Sequence, residues 1–352
     1  MGKNMNTKVE GKKEKKLSSM ILLLFITVVM LGVTTYAWFT SNQLVKINSI
    51  DLSVQASEGF QISVDGVNWK SVINTAEILG ATANYASHIN HVPTSIVPVS
   101  TAAQQSDATT GLLDFYFGTT TTNNSSNYIL YGEKITETTT TGQFIAFDLF
   151  FRTNNDMYLL LEPDSGVRDI ATVLNRQNRG MENSSRIAFV NQGYIDGTTT
   201  PNPSAATVQA LVSSETDGSN IRIWEPNYLS HTTESKTEAY NMYGIATSSS
   251  IYNAWIPYAG MIDDIAEASG ILLPETNATD NPLLFADVEP ANFIKTAKGF
   301  TTAELTDMVI KAGVTKYRIY MWIEGQDYDC SDSASGSDIR YDLVLSVQRV
   351  SP

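Results

Sequence analysis

The chain is expected to be mainly β, a β-sandwich with a few short helices in its insertions. Three observations predict this. Strict apolar–polar alternation recurs near both ends, clearest in "INSIDLSVQA" (47–56), "KYRIYMWIEG" (316–325) and "DIRYDLVLSVQRV" (338–350). Helical periodicity is sparse between them. The connecting stretches are rich in Thr, Ser and Asn, which suits exposed loops between strands.

Taken in order, the first strand starts after Gln43. Ile50, Leu52, Val54 and Ala56 alternate with Ser49, Asp51, Ser53 and Gln55. In "GFQISVDGVNW" Phe60, Ile62 and Val64 alternate, and Asp65-Gly66 offers a tight hairpin turn. Residues 111–118, 143–153, 156–163, 184–193 and 221–226 read as further buried strands. Tyr341, Leu343, Leu345 and Val347 share one face of the last strand. Short helices are expected at 166–178, 260–270 and 301–313, the last with Thr301 and Glu304 in capping-box spacing and Gly313 as its stop. Residues 118–127, 136–142 and 196–207 are expected to be exposed loops. No internal repeat of solenoid period is present.

The chain has 352 residues and a net charge of −14. Residues 1–16 hold six Lys against two Glu, and the rest of the chain holds 17 basic and 35 acidic residues. So acidic a body argues against nucleic-acid binding, which needs a positive face. Cys330 is the one cysteine, so no internal disulfide can form, and it reads as a small buried hydrophobe.

The amino terminus has the order of an export signal: a basic region, the apolar run Met20–Val33, then small residues before Ala37. Cleavage is expected between Ala37 and Trp38. The uncharged stretch Leu17–Phe39 is also long enough to span a bilayer as an uncleaved hydrophobic helix, at about 20 residues. Either route places residues 38–352 outside the cytoplasm. The domain division is therefore a signal peptide or anchor at 1–37 and a β-sandwich body at 38–352, with inserted loops and helices across roughly 164–315.

"LGVTTYAWFTSN" (31–42) resembles the signal-peptide end of the TasA/camelysin group, exported proteins processed by a SipW-type signal peptidase. Thr35-Tyr36-Ala37 matches the cut, Trp38-Phe39 the aromatic pair, and Thr40-Ser41-Asn42 the polar step before the first mature strand. Asn42 stands where the group often has Asp, and Val33-Thr34 where it often has Gly-Gly. The resemblance implies an antiparallel jelly-roll-like sandwich at the bacterial cell surface. Its best-known members form matrix fibres by donating the amino-terminal strand to a neighbour. Ile47, Ile50, Leu52 and Val54 are the side chains expected to fill the neighbour's pockets.

Catalytic signatures are weak. His88 and His91 have metal-ligand spacing but no intervening Glu, and His231 is distant, so all three read as surface loop residues. No Gly-x-Ser-x-Gly elbow occurs. The acidic stretch at 322–338 includes Glu324 and Asp338, and its Asp327, Asp329 and Asp332 are candidate calcium ligands; the other reading is a plain acidic loop between the last two strands. Trp224, Tyr252, Trp255 and Tyr258 read either as core aromatics or as platforms for sugars.

The expected function is an exported, non-enzymatic subunit of a bacterial cell-surface or biofilm-matrix filament, with no cofactor. Its partners would be copies of itself and the signal peptidase, and the membrane only through residues 17–39. The alternatives are a monomeric, membrane-anchored adhesin or glycan-binding module, and a metal-dependent peptidase using His88 or His91.

Overall fold

Period-two alternation builds two packed sheets. The computed structural model describes residues 44–54, 59–101, 105, 107–122, 128–162, 164–170, 182–216, 218–224, 308–325, 330 and 336–350. The signal segment with Ala37 and Trp38, the expected helix at 260–270, the Thr301/Glu304 box, His231, Tyr252, Trp255, Tyr258 and the three candidate calcium ligands lie outside the described residues.

In chain order the strands are β1 (Val45–Val54), β2 (Gln61–Ser63), β3 (Val72–Asn74), β4 (Ser95–Ile96), β5 (Tyr116–Thr122), β6 (Tyr128–Lys134), β7 (Ile145–Thr153), β8 (Met157–Leu161), β9 (Gly166–Asp169), β10 (Ser185–Asp196), β11 (Ile221–Trp224), β12 (Val309–Ile310), β13 (Gly313–Ile323) and β14 (Asp338–Arg349). The helices are α1 (Thr75–Gly80) and α2 (Ala205–Gln209), with a 3-10 turn at 81–83. α1 starts at a capping box: Asn74 accepts from the Glu77 amide, and the Glu77 carboxylate accepts from the Asn74 amide.

One sheet is mixed and has the order β12-β8-β14-β1-β3, with β4 on β1 and β9 on β14. The second is antiparallel, in the order β11-β10-β13-β7-β2, and β5 and β6 form a separate hairpin. Ile50, Leu52, Tyr341 and Leu343 of the mixed sheet share one apolar cluster with Phe147, Leu149, Ile319 and Met321 of the antiparallel sheet. That shared core gives the fold its sandwich-like layering.

The antiparallel sheet is buried on its outer face as well. Ala188, Val190, Tyr320 and Trp322 pack there against Leu113, Phe115 and Phe144, and the Phe115 and Phe144 rings stack at 4.2 Å. A bulge in β10 between Asn191 and Gly193 reverses its facing, so that Ile195 joins Val314 in an outer cluster. Gly313 begins β13 at φ +116, and a Cβ there would lie 2.1 Å from the Ile195 carbonyl, so only glycine fits this crossing.

The structure corrects several expectations. The sandwich is not wholly antiparallel, because β1 runs parallel to β14. Residues 166–169 are strand rather than helix, since pairing with Asp342–Ile339 of β14 satisfies their backbone. Val309 and Ile310 are also strand, covering the edge of β8, where Met308 and Ile310 are fully buried. In 111–118 the strand begins only at Tyr116, and it runs into the Thr tract as far as Thr122. Asp65-Gly66 lies in a wide loop closed by Ile62 and Lys70, not in a two-residue turn.

Candidate functional site

The four side chains singled out on the first strand lie on one face. Ile50 and Leu52 are fully buried, and Ile47 and Val54 nearly so. Ile47 and Ile50 differ in parity, and simple alternation would turn them to opposite faces. A bulge between Ile47 and Ser49 brings both inward. Val45, also fully buried, completes the row; its phase with Ile47 was legible in "VKI" and overlooked.

The two flanks of β1 differ. Towards β14 the parallel ladder is continuous from Lys46–Asp338 to Val54–Leu345, apart from the bulge. The other flank is patched from short pieces. β4 pairs with Val45 and Lys46, the Ile47 amide donates to the Thr94 carbonyl (2.9 Å), and β3 pairs with Asp51–Ser53. Between them the Thr75 hydroxyl accepts from the Ile50 amide (2.9 Å) and donates to the Ile50 carbonyl (3.2 Å), taking the place of a strand. The backbone of β1 is therefore satisfied inside its own chain.

A second group lies on the outer face of the antiparallel sheet and escaped the sequence reading. Arg318 donates to Asp148 Oδ1 at 2.8 Å and also pairs with Glu137. Lys316 Nζ lies 3.2 Å from Asp148 Oδ2 and donates to the Gln209 and Leu211 carbonyls. The hydroxyls of Tyr85 and Tyr320 donate to Asp148 (2.7 Å) and Glu137 (2.9 Å). Burial alone would raise the Asp148 pKa, but Arg318 and then Lys316 outweigh it and hold the carboxyl below its usual range. Burial lowers Lys316, although Asp148 opposes it. Together with the bond from the Leu113 amide to the Tyr320 hydroxyl (3.1 Å) and that from Arg318 to the Ile89 carbonyl (3.2 Å), these tie the loops at 85–90, 113, 137 and 209–211 to β7 and β13. The visible signal was one Asp inside "FIAFDLFF", since a carboxylate in an apolar strand needs a buried partner.

His91 is buried against this group, contrary to the expected surface position, with its ring edge-on to Phe144 at 5.2 Å. Its Nδ1–H donates to the Ile89 carbonyl at 3.0 Å, and burial lowers its pKa. His88 Nδ1 accepts from the Asn90 amide at 2.8 Å, so that nitrogen is unavailable to a metal. Both rings border a cleft of about 500 Å³ with Ile78, Leu79, Pro93 and Thr139–Thr141. A second cleft, of about 360 Å³, lies beside Trp69, over which the Arg152 guanidinium sits at 4.3 Å. Among the described residues no group of three or more His, Cys, Asp or Glu is placed to hold a metal ion.

The other singled-out residues make contacts within the fold. Trp224 and Cys330 are buried in the main core. Glu324 is a buried acceptor for Trp322 Nε1 (3.1 Å) and the Ser100 hydroxyl, not a surface carboxylate. Asp338 pairs with Lys46. The Asp65 carboxylate accepts from the Val67 and Asn68 amides and from the Ser63, Asn68 and Asn84 side chains. Burial opposes its ionisation, but these bonds prevail and lower its pKa to about 2. Among the described residues no helix is long and apolar enough to cross a membrane. No protein-family model, curated protein or solved structure matches this chain.

Proposed function

We propose that the chain is an exported structural subunit of a bacterial surface or biofilm-matrix filament, a jelly-roll-like sandwich that assembles by donating β1 to a neighbour. The observation that supports this reading is the seat of β1. An apolar-faced strand beside the leader lies between a continuous ladder on β14 and a patched flank. It joins the rest of the fold only through residues 55–59, once the leader is cut between Ala37 and Trp38.

If β1 leaves its seat and the same strand of another copy enters, every pairing is restored. The exchange therefore costs little beyond reshaping the connection, as in domain swapping. Five residues span at most about 17 Å, so donor and acceptor bodies must touch. Because the donated strand and the accepting seat are different surfaces, the contact runs head to tail and does not close. This reading assigns no catalytic residue and no cofactor.

Negative-stain microscopy tests it. The chain starting at Trp38 is expected to form fibres, and the chain starting at Glu58 is expected to form none. Because the shorter chain loses a core strand, it is also examined with a peptide of residues 38–57. The peptide should restore the β-rich circular dichroism and still yield single particles. Fibres from the shorter chain overturn the reading.

A further inference from the structure

The apolar face of β1 does not define its own register. Along β14, Ile339, Tyr341, Leu343 and Leu345 are all buried at a spacing of two. A strand displaced by two residues still turns its apolar side inward. The charged side chains remove this degeneracy. Lys46 lies opposite Asp338, with Nζ 3.2 Å from Oδ2. Asp51 stands opposite Asp342, a repulsive pairing, and Arg340 resolves it by lying 3.0 Å from Asp51 Oδ2 and 2.8 Å from Asp342 Oδ1. Arg168 of β9 takes the other oxygen of Asp342 at 2.7 Å.

Displaced by two residues toward the end of β14, Lys46 faces Arg340 and Asp51 faces Val344, so attraction is replaced by repulsion or lost. Displaced the other way, Asp51 faces Arg340 and keeps a charge partner, but Lys46 faces Gly336 and loses its own, and Ile47 faces Ser337 in place of Ile339. Here the Lys46–Asp338 pair and the Ile47 contact set the register.

We infer that Lys46, Asp51, Asp338 and Arg340 are the residues by which a seat selects the strand of a second copy of this chain and sets its register. This rests on the strand-donation reading above. Exposed pairs of this kind are individually weak, so their effect is to discriminate between registers and partners rather than to supply total affinity.

Complementation between two variants tests this. Lys46→Asp and Asp338→Lys each place like charges together in every seat, own or neighbour's. In an equimolar mixture, the strand of the first variant meets an opposite charge in the seat of the second. The unchanged Lys46 of the second likewise meets the unchanged Asp338 of the first. Fibre growth is followed by sedimentation at low salt, using chains that start at Trp38. In each variant alone the repulsion acts in the own and the neighbouring seat alike, whereas in the mixture it acts within each chain and is relieved only between chains. The mixture should therefore grow at least about fivefold faster than either variant alone, and the difference should fade at about 1 M salt. No fibres from the unsubstituted chain would overturn the strand-donation reading itself. Fibres at equal rates from all chains, or a mixture as slow as its components, would overturn the register inference alone. If either variant lacks the native circular dichroism, Asp51→Arg and Arg340→Asp form the deciding pair under the same criteria.

Discussion

Replacing Arg318 by Met is expected to destabilise the fold by about 3–5 kcal/mol, because it removes the cation that the buried Asp148 and Glu137 carboxylates share. That is a large share of the roughly 5–15 kcal/mol that holds a typical domain together. Arg318 lies in the middle of β13 and bridges Asp148 on β7 to Glu137 in the loop before it. Met preserves most of the apolar stem, so the lost energy reports the charge. Afterwards Asp148 keeps Lys316 and Tyr85, whereas among the described residues Glu137 keeps the Tyr320 hydroxyl and the His91 ring, the latter at 3.9 Å. Arg318→Lys keeps the charge but cannot present a fork to both carboxylates, and should recover only part of the loss. Urea denaturation followed by tryptophan fluorescence checks both variants through their midpoints.

The same substitution should change the acid limb. Asp148 and Asp65 have folded pKa values below that of an unfolded Asp, near 3.9. Each therefore contributes stability that is full above that value and is lost as the pH falls through it. For Asp65 the loss runs down to about pH 2. Without Arg318 the largest influence holding Asp148 ionised is gone, so the variant should lose stability at a higher pH than the parent. An unchanged acid midpoint would contradict the role assigned to Arg318.

Leu52→Ala is expected to cost about 2–5 kcal/mol, the usual range for removing a fully buried Leu. Leu52 lies between Leu343 and Ile73 in the register and belongs to the shared core of the two sheets. The neighbouring Ser53→Ala, on the opposite face, should change stability by under about 0.5 kcal/mol. In the proposed assembly the same side chain fills the seat of the next subunit, so Leu52→Ala should also slow fibre growth, while Ser53→Ala should leave it unchanged. A loss of stability with undiminished growth would separate β1's role in the fold from any role in assembly.

How far the sequence reveals this fold depends on where the information resides. β7, β13 and β14 were legible because each carries its own local signal, a near-continuous apolar run in β7 and alternation in β13 and β14. Burial follows the period in β14, while β7 and β13 are buried on both faces. The residues around Gly166 and Val309 read as helix because local spacing allowed it. Their strand state comes from the open edges of β14 and β8, which no local window contains. The parallel neighbour of β1 was not legible either, since periodicity marks a strand without naming its partner. The inward row of β1 was largely legible, but its phase change between Ile47 and Ile50 signalled a bulge only once both residues were known to be buried. The Asp148–Arg318–Glu137 group was missed because charges on a strand read as a solvated face. Here the layer carrying Phe115 and Glu137 covers that face.

The central claim is that one seat beside β14 holds β1 of its own chain before assembly and β1 of a neighbour afterwards. Cysteines at Ser53 and Val344, which pair directly across the two strands, test it most directly. Oxidised before assembly, the chain starting at Trp38 should form its disulfide within one molecule and remain a single-chain band on a non-reducing gel. Oxidised after fibres have grown, it should give a ladder of covalent multimers that collapses on reduction. Fibres that dissolve into single chains, each closed by its own disulfide, would contradict the account.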